Sequence, residues 1–196
     1  MENIVRADAE HRTRIETAAI GLFAEKGVVG ASVAEIASAA GVSQGYLYRH
    51  WKDKDEMAFD LFSRLYLALR DRFQAAAAAE PTTRGRIAAM IREGCRVHDE
   101  DPAGFRFLLT TQHQHLGRLP AGTRTMVDVV RTVIAEGIAK GDIGLHDEAA
   151  ATAVVFGIFL QAATFDLYGN LGRELGETAD ILAEACWRAV AGREAA

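Results

Sequence analysis

The chain has 196 residues, 49% of them hydrophobic, with 18 glycines, 3 prolines and 2 cysteines, and 22 basic against 27 acidic side chains give a formal net charge of −5 at pH 7. That composition supplies a core for one large domain, or for a small one and a larger one, and excludes disordered and disulfide-framework classes. Cys95 and Cys186 form no CxxC pair and the polar stretch from Met1 to Arg14 holds no apolar signal core, so zinc fingers and secretion are disfavoured and a reducing cytoplasm is expected.

The acidity is unevenly placed. Residues 1–54 hold 7 basic and 7 acidic side chains, and the whole deficit lies in residues 55–196. Arg49, Lys52 and Lys54 cluster with His50 against one acid, Asp53. A local patch of this kind decides where phosphates dock, whatever the total charge.

The elements read as helical throughout, with no period-2 alternation and no hairpin dipeptide. From about Asp8 to Lys26, Ile15, Ala18, Ala19, Leu22 and Phe23 recur at spacings of three and four, which predicts an amphipathic helix. Gly27 is placed to stop it in the left-handed conformation. Ser32-Val-Ala-Glu35 is a capping box that opens a short helix with Val33, Ile36 and Ala37 inward. Ala40-Gly41-Val42 breaks it, and Ser43 caps a third helix from Gln44 to about His50 with Leu47 inward. Asp53-Lys-Asp-Glu56 is a second capping box, and the long helix it opens carries Met57, Leu61, Leu65 and Leu69 inward and ends before Pro81. Breaks at Asp101-Pro102, Gly117 to Pro120, Gly141 to Gly144 and Gly169 to Gly172 divide the remainder into helices near 82–99, 103–115, 121–140, 147–168 and 177–191. The expected fold is all-α with about nine helices: a small N-terminal part, 1–54, and a larger bundle, 55–196. The uncharged run Ala149 to Phe165 is shorter than a membrane span and rich in Ala, so it is read as a helix buried inside a protein.

Two capped helices joined by a turn containing Gly41 make a helix-turn-helix. Val42 and Leu47 pin the second helix, which leaves Gln44, Gly45, Tyr46, Tyr48, Arg49 and His50 for solvent or DNA. Gln pairs with adenine and Arg with guanine in the major groove, whereas Tyr, His and Lys suit phosphates. Gly45 costs such a helix ~1 kcal/mol relative to Ala, which suggests close backbone approach to the groove. Lys54 stands against the positive end of its helix dipole, and a phosphate beside that helix start would explain it. Tyr48 and Trp51 are alternatively core aromatics, a reading adopted for Trp51.

The run Ser32-VAEIASAAGVSQGYLYRHWKDKDEM-Ala58, preceded by Ile20-GLFAEKG, resembles the DNA-binding domain of the TetR family of transcriptional regulators over about the first quarter of the chain. Trp51 stands where Phe is commoner in that pattern, a conservative change in packing. The resemblance implies an all-helical homodimer, usually a repressor, that binds palindromic double-stranded DNA and whose second part senses a small molecule. It places DNA contacts at Ser32, Gln44, Gly45, Tyr46, Tyr48, Arg49, His50 and Lys54.

The second part yields less. His98-Asp-Glu-Asp101 with His113 and His115 holds metal-ligand types, but His113 and His115 are two apart and do not share a helix face. No metal, cofactor or catalytic motif is expected. Met90, Phe105, Leu109, His113, Phe156 and Phe159 are either plain core or the walls of a mostly apolar effector pocket. Ala153, Phe156, Gly157, Leu160 and Thr164 on one late helix, with Ile181, Leu182, Ala185 and Ala189 on the next, form stripes suited to a dimeric four-helix bundle. The competing class is a helical adaptor whose helix-turn-helix no longer reads DNA, which the presence of Tyr48, Arg49 and Lys54 disfavours.

Overall fold

The computed structural model describes residues 2–191, with side chains from residue 8 onward. The described residues form nine α-helices: α1 Glu2–Gly30, α2 Val33–Ala40, α3 Gln44–Leu47, α4 Lys54–Ala78, α5 Thr83–Glu100, α6 Pro102–His115, α7 Met126–Lys140, α8 Glu148–Leu167 and α9 Ala179–Val190. Short 3-10 turns follow α6 at Leu116–Arg118 and precede α9 at Leu175–Thr178. No strand occurs among the described residues.

Local chemistry sets most of these boundaries. The Ser32 hydroxyl accepts from the Glu35 N–H at 3.1 Å and the Glu35 carboxylate accepts from the Ser32 N–H at 2.8 Å, both halves of the expected capping box. Gly41 ends α2 in the left-handed conformation at φ 66°, ψ 39°, where a side chain would be strained. Ser43 caps α3 through the Tyr46 N–H at 3.3 Å. The Asp53 carboxylate accepts from the Glu56 N–H at 2.8 Å, but the Glu56 carboxylate reaches the Lys52 N–H rather than that of Asp53. The second box is therefore shifted by one residue on its return bond.

Four expectations are corrected. The helical run α1 begins at Glu2, well before Asp8, and continues to Gly30. Gly27 interrupts it with φ 71° but ψ 163°, a region open essentially to glycine alone and distinct from the left-handed helical cap. Helix α3 stops at Leu47, because the N–H groups of Arg49 and His50 turn back to Tyr46 and Leu47 in tight three-residue loops. Helix α7 starts at Met126 rather than near 121, fixed by a capping box of Thr125 and Asp128.

Contacts divide the chain into two units, Met1–Tyr66 with Ala103–Leu119, and Leu67–Pro102 with Pro120–Ala196. The first unit thus contains α1 to α3, the first part of α4 and nearly all of α6, whereas the sequence division after Lys54 marks only where α4 begins. Ile15, Phe23, Ile36, Leu47, Trp51, Met57, Leu61, Phe62 and Phe107 are among its buried residues. Phe23 stacks on Phe107 with centroids 5.7 Å apart, which holds α6 to α1. In the second unit α5 packs on α7 and α9, and α8 on α7 and α9. Ile87, Met90, Val133, Ile134, Val155, Cys186, Trp187 and Val190 are buried there. Gly137 admits Thr83 and Ile143 so closely that a Cβ would sit 2.5 Å from the Thr83 methyl.

Helix α8 is long and apolar enough to cross a membrane by length and composition. Within the single chain it buries one face only, through Ala151, Thr152, Val155, Phe159 and Ala163. The other face stays open in one protomer: Ala153, Gly157, Gln161 and Phe165 are exposed. Tyr168 and Ile181, 71% and 60% exposed, extend the uncovered apolar surface onto the end of α8 and onto α9.

Candidate functional site

The helix-turn-helix is built from α2, the Gly41 turn and α3. Leu47 is buried and anchors α3, while Trp51 is buried and donates its Nε1–H to Asp60 at 3.0 Å. With these two residues turned inward, Gln44, Gly45, Tyr48 and Arg49 remain exposed on one short segment. Tyr48 is 54% exposed, so it takes the surface position and not the core one. A Cβ added to Gly45 would meet nothing closer than the Ser43 Oγ at 3.9 Å. No packing demand of the fold explains that glycine.

Three of the expected contact residues are already engaged. The Ser32 N–H and hydroxyl both donate to the Glu35 carboxylate, each at 2.8 Å. Glu35 also receives the Lys26 ammonium at 2.7 Å, and these bonds, Lys26 foremost, hold its carboxyl down to about 2. The Lys54 ammonium donates to the Val29 and Ala31 carbonyls at 3.1 and 2.5 Å. It thereby satisfies carbonyls at the end of α1, a structural reason for a cation in the first turn of α4. The Tyr46 hydroxyl donates to the Asp8 carboxylate on α1. That bond is the main cause of the lowered pKa of Asp8 and of the raised pKa of Tyr46. His50 is half-buried between Tyr46 and Trp51, at centroid distances of 5.1 and 5.6 Å, with its Nε2 enclosed and without a hydrogen-bond partner.

Charge pairing separates this face from the rest of the unit. Arg12 and Arg64 bind Glu16 at 2.8 and 2.7 Å, Lys26 binds Glu35, and Arg118 binds Asp55 at 3.0 Å. Among the described residues, Arg14, Arg49 and Lys52 have no carboxylate within ion-pair distance, and all three are exposed. Arg49 and Lys52 lie just after α3. The Arg14 guanidinium lies beside the turn, 3.8 Å from where a Gly41 Cβ would be. Arg14 was not singled out by the sequence pattern, since it lies on α1, outside the helix-turn-helix. Glu10 stands four residues before Arg14, at helix-pair spacing, so nothing local in the sequence marks Arg14 as unpaired.

The profile of the bacterial regulatory proteins of the tetR family matches residues 15–61, which run from the second half of α1 through α2, the turn and α3 into the start of α4. The likeness to that family covers these residues, about a quarter of the chain. Two of its relatives are HTH-type transcriptional regulators of Staphylococcus aureus, 46% and 44% identical over 61 residues, which is 31% of this chain and 33% of each relative. The sequence match therefore spans about a third of the length of these relatives. The fold likeness extends further. A bacterial regulatory protein in the tetR family from Rhodococcus matches with a TM-score of 0.80 at 20% identity, covering 92% of this chain and 97% of its own. The transcriptional regulator FadR from Bacillus subtilis, solved in complex with stearoyl-CoA, matches with a TM-score of 0.74 at 21% identity, covering 91% and 99%. At these identities the tetR likeness of the second part is one of fold.

The residues expected around an effector are divided between the units. Phe105, Leu109 and His113 lie on α6 in the first unit, buried, half-buried and exposed respectively. Met90, Phe156 and Phe159 lie on α5 and α8 in the second, with Met90 and Phe159 buried and Phe156 half-buried. The tip of the Phe159 ring points at Gly94. An open groove of about 380 Å³ in the second unit is lined by Arg92, Cys95, Arg96, Asp99, Glu100, Gly176 and Ala179, and by none of those six. His98 does not join His113 or His115: its ring lies 3.1 Å from an Asp99 oxygen and 3.0 Å from an Asp166 oxygen. His115 is buried against Phe59 and Phe62, and burial pushes its imidazole pKa down.

Proposed function

We propose that this chain is a cytoplasmic, dimeric transcription regulator, a repressor that binds palindromic DNA through α2 and α3 and leaves it when a small, mostly apolar effector binds. The carrying observation is the exposed segment Gln44 to Arg49, flanked by cations that no carboxylate neutralises. Gln44 and Arg49 supply base-reading groups, Gly45 the close approach, and Tyr46, Tyr48 and Lys52 phosphate contacts. The likeness to the staphylococcal HTH-type transcriptional regulators supports this reading. Duplexes selected from genomic DNA are expected to bind with an affinity that falls steeply as salt rises, about 0.9 log units per phosphate contact for each log unit of salt. Equal, salt-insensitive binding of every duplex would sink the assignment.

The dimer follows from surface that one protomer leaves uncovered. Phe165, Tyr168 and Ile181, with half-buried Phe156 and Leu160, run along α8 and α9. A second copy would cover them with the same two helices in a four-helix interface. Two such protomers present paired recognition segments, which must meet major grooves roughly 34–36 Å apart or at multiples of this. An effector that favours another spacing weakens binding by population shift.

For the effector we place the site in the second unit, near Met90, Phe156 and Phe159. The stearoyl-CoA held by FadR of Bacillus subtilis supports an apolar ligand in a protein of this fold. Thermal shifts against fatty acids, their CoA esters and charged polar metabolites, repeated with DNA present, test it. If only compounds without an apolar chain stabilise the protein, or an apolar hit leaves DNA affinity unchanged, the effector reading is wrong.

A further inference from the structure

An acid from α1 stands beside the recognition segment. Asp8 projects from α1, 38 residues before Tyr46 in sequence, and accepts the Tyr46 hydroxyl bond. The groups around the Tyr46 ring are basic. The His11 ring meets Tyr46 edge-on at 5.4 Å, the Arg49 guanidinium lies 5.4 Å from the Tyr46 ring centroid, and the His50 ring lies 5.1 Å away on another side. After the Tyr46 bond, the charges of His50, Arg49 and His11 favour the ionised form of Asp8. The carboxylate is exposed, so its contribution to folding is small. Its cost appears when a polyanion approaches. A tyrosine hydroxyl bonds a phosphate oxygen with the same donor that it offers a carboxylate, and three basic groups around one anion describe a phosphate environment.

We propose that Asp8 is an internal stand-in for a DNA phosphate: in the free protein its carboxylate holds the donor of Tyr46 that a backbone phosphate takes in the complex. Every duplex must displace it, whatever its sequence. Asp8 is thus a brake on binding that acts through the DNA backbone and leaves base preference alone. The inference rests on the DNA-binding reading above.

The test uses the full-length chain and two duplexes of equal length, the tightest one selected from genomic DNA and one of random sequence. Asp8→Asn keeps the shape and removes the charge. It is expected to raise affinity for both duplexes by the same factor, about three- to tenfold at low salt, with the gain shrinking as salt screens the repulsion. In a Tyr46→Phe background, where the shared donor is gone, the gain from Asp8→Asn is expected to fall to less than half. Thermal unfolding confirms that each variant is folded. Weaker binding by Asp8→Asn would mean that Asp8 positions Tyr46 for DNA, and would overturn the proposal. So would an undiminished gain in the Tyr46→Phe background, which would mark a through-space charge effect. Failure of the wild-type chain to bind any duplex would overturn the DNA-binding reading and this inference with it. Binding by wild type with no gain in Asp8→Asn would overturn this inference alone.

Discussion

The ring of Phe159 on α8 occupies the space that a side chain on Gly94 of α5 would need: a Cβ there would lie 2.5 Å from Cζ and 2.9 Å from Cε2. Phe159 is buried and also meets Phe73 edge-on at 6.4 Å, so the ring has little room to retreat. Gly94→Ala is expected to destabilise the protein by roughly 1–3 kcal/mol in urea unfolding, the usual cost of overpacking. Phe159→Leu should cost some stability by itself but recover part of that loss in the double variant. Simple additivity of the two would contradict this account of the contact.

Gly45 separates the needs of the fold from those of DNA binding. Its backbone lies in α3 without a positive φ, and an added Cβ meets only open space. Gly45→Ala should therefore leave stability unchanged or raise it by up to about 1 kcal/mol. Affinity for the selected duplex should drop at least tenfold. Unaltered affinity in a stabilised variant would remove Gly45 from the interface.

Glu35 gives the first unit an acid-sensitive point. Its carboxyl, held at about 2 by Lys26 and Ser32, is depressed from an ordinary value of 4.5. A depressed acid contributes fully above its unfolded value and loses that contribution as pH falls through the folded one. Glu35→Gln should lower the thermal midpoint at pH 7, and the gap to wild type should close between about pH 4.5 and 2. A gap that stays constant down to pH 2 would assign the effect to packing.

Lys52 and Lys54 stand two residues apart with different surroundings. Lys54 bonds two carbonyls at the end of α1, whereas Lys52 is exposed without a carboxylate partner. Lys54→Gln should cost roughly 1–2 kcal/mol of stability, and Lys52→Gln less than about 0.5 kcal/mol. The salt slope of DNA binding should flatten in Lys52→Gln. Urea titrations and binding at four salt concentrations read the two effects separately.

Ile181→Asp tests the proposed interface with little risk to the protomer, since the side chain is 60% exposed. Sedimentation at micromolar concentration should give twice the chain mass for wild type and one chain for Ile181→Asp, with helicity retained. A wild-type monomer would refute the interface on α8 and α9.

The parts of the fold that follow from bonds within three or four residues were legible in the sequence. Ser32, Gly41 and Ser43 mark ends of α2 and α3 through capping and a left-handed backbone, both local rules. The start of α7 was legible too, since Thr125 and Asp128 have capping-box spacing, but the break at Pro120 drew the boundary upstream. What stayed hidden depends on partners distant along the chain. Nothing local tells that Lys54 reaches back to Val29 and Ala31, or that Tyr46 finds Asp8. Nor does an apolar run such as Ala149 to Phe165 distinguish a helix enclosed by its own subunit from one that leaves a face open. The exposed segment Gln44 to Arg49 was recovered because Leu47 and Trp51, the two residues that turn inward, are visible as the apolar members of the pattern.

The two cysteines have a consequence for how opening of this molecule can be timed. Cys95 and Cys186 both belong to the second unit, both are buried, and burial pushes both thiols up to about 12. Because the thiolate is the reactive form, both thiols are expected to react slowly with alkylating reagents in the folded molecule, and faster labelling is expected to accompany excursions that bring α5 or α9 into water. The first unit contains no cysteine, so its openings leave the label count unchanged. The unmodified protein thus carries its own clock for the second half of the fold, and a compound that protects the thiols from labelling reveals itself as bound there without any probe attached.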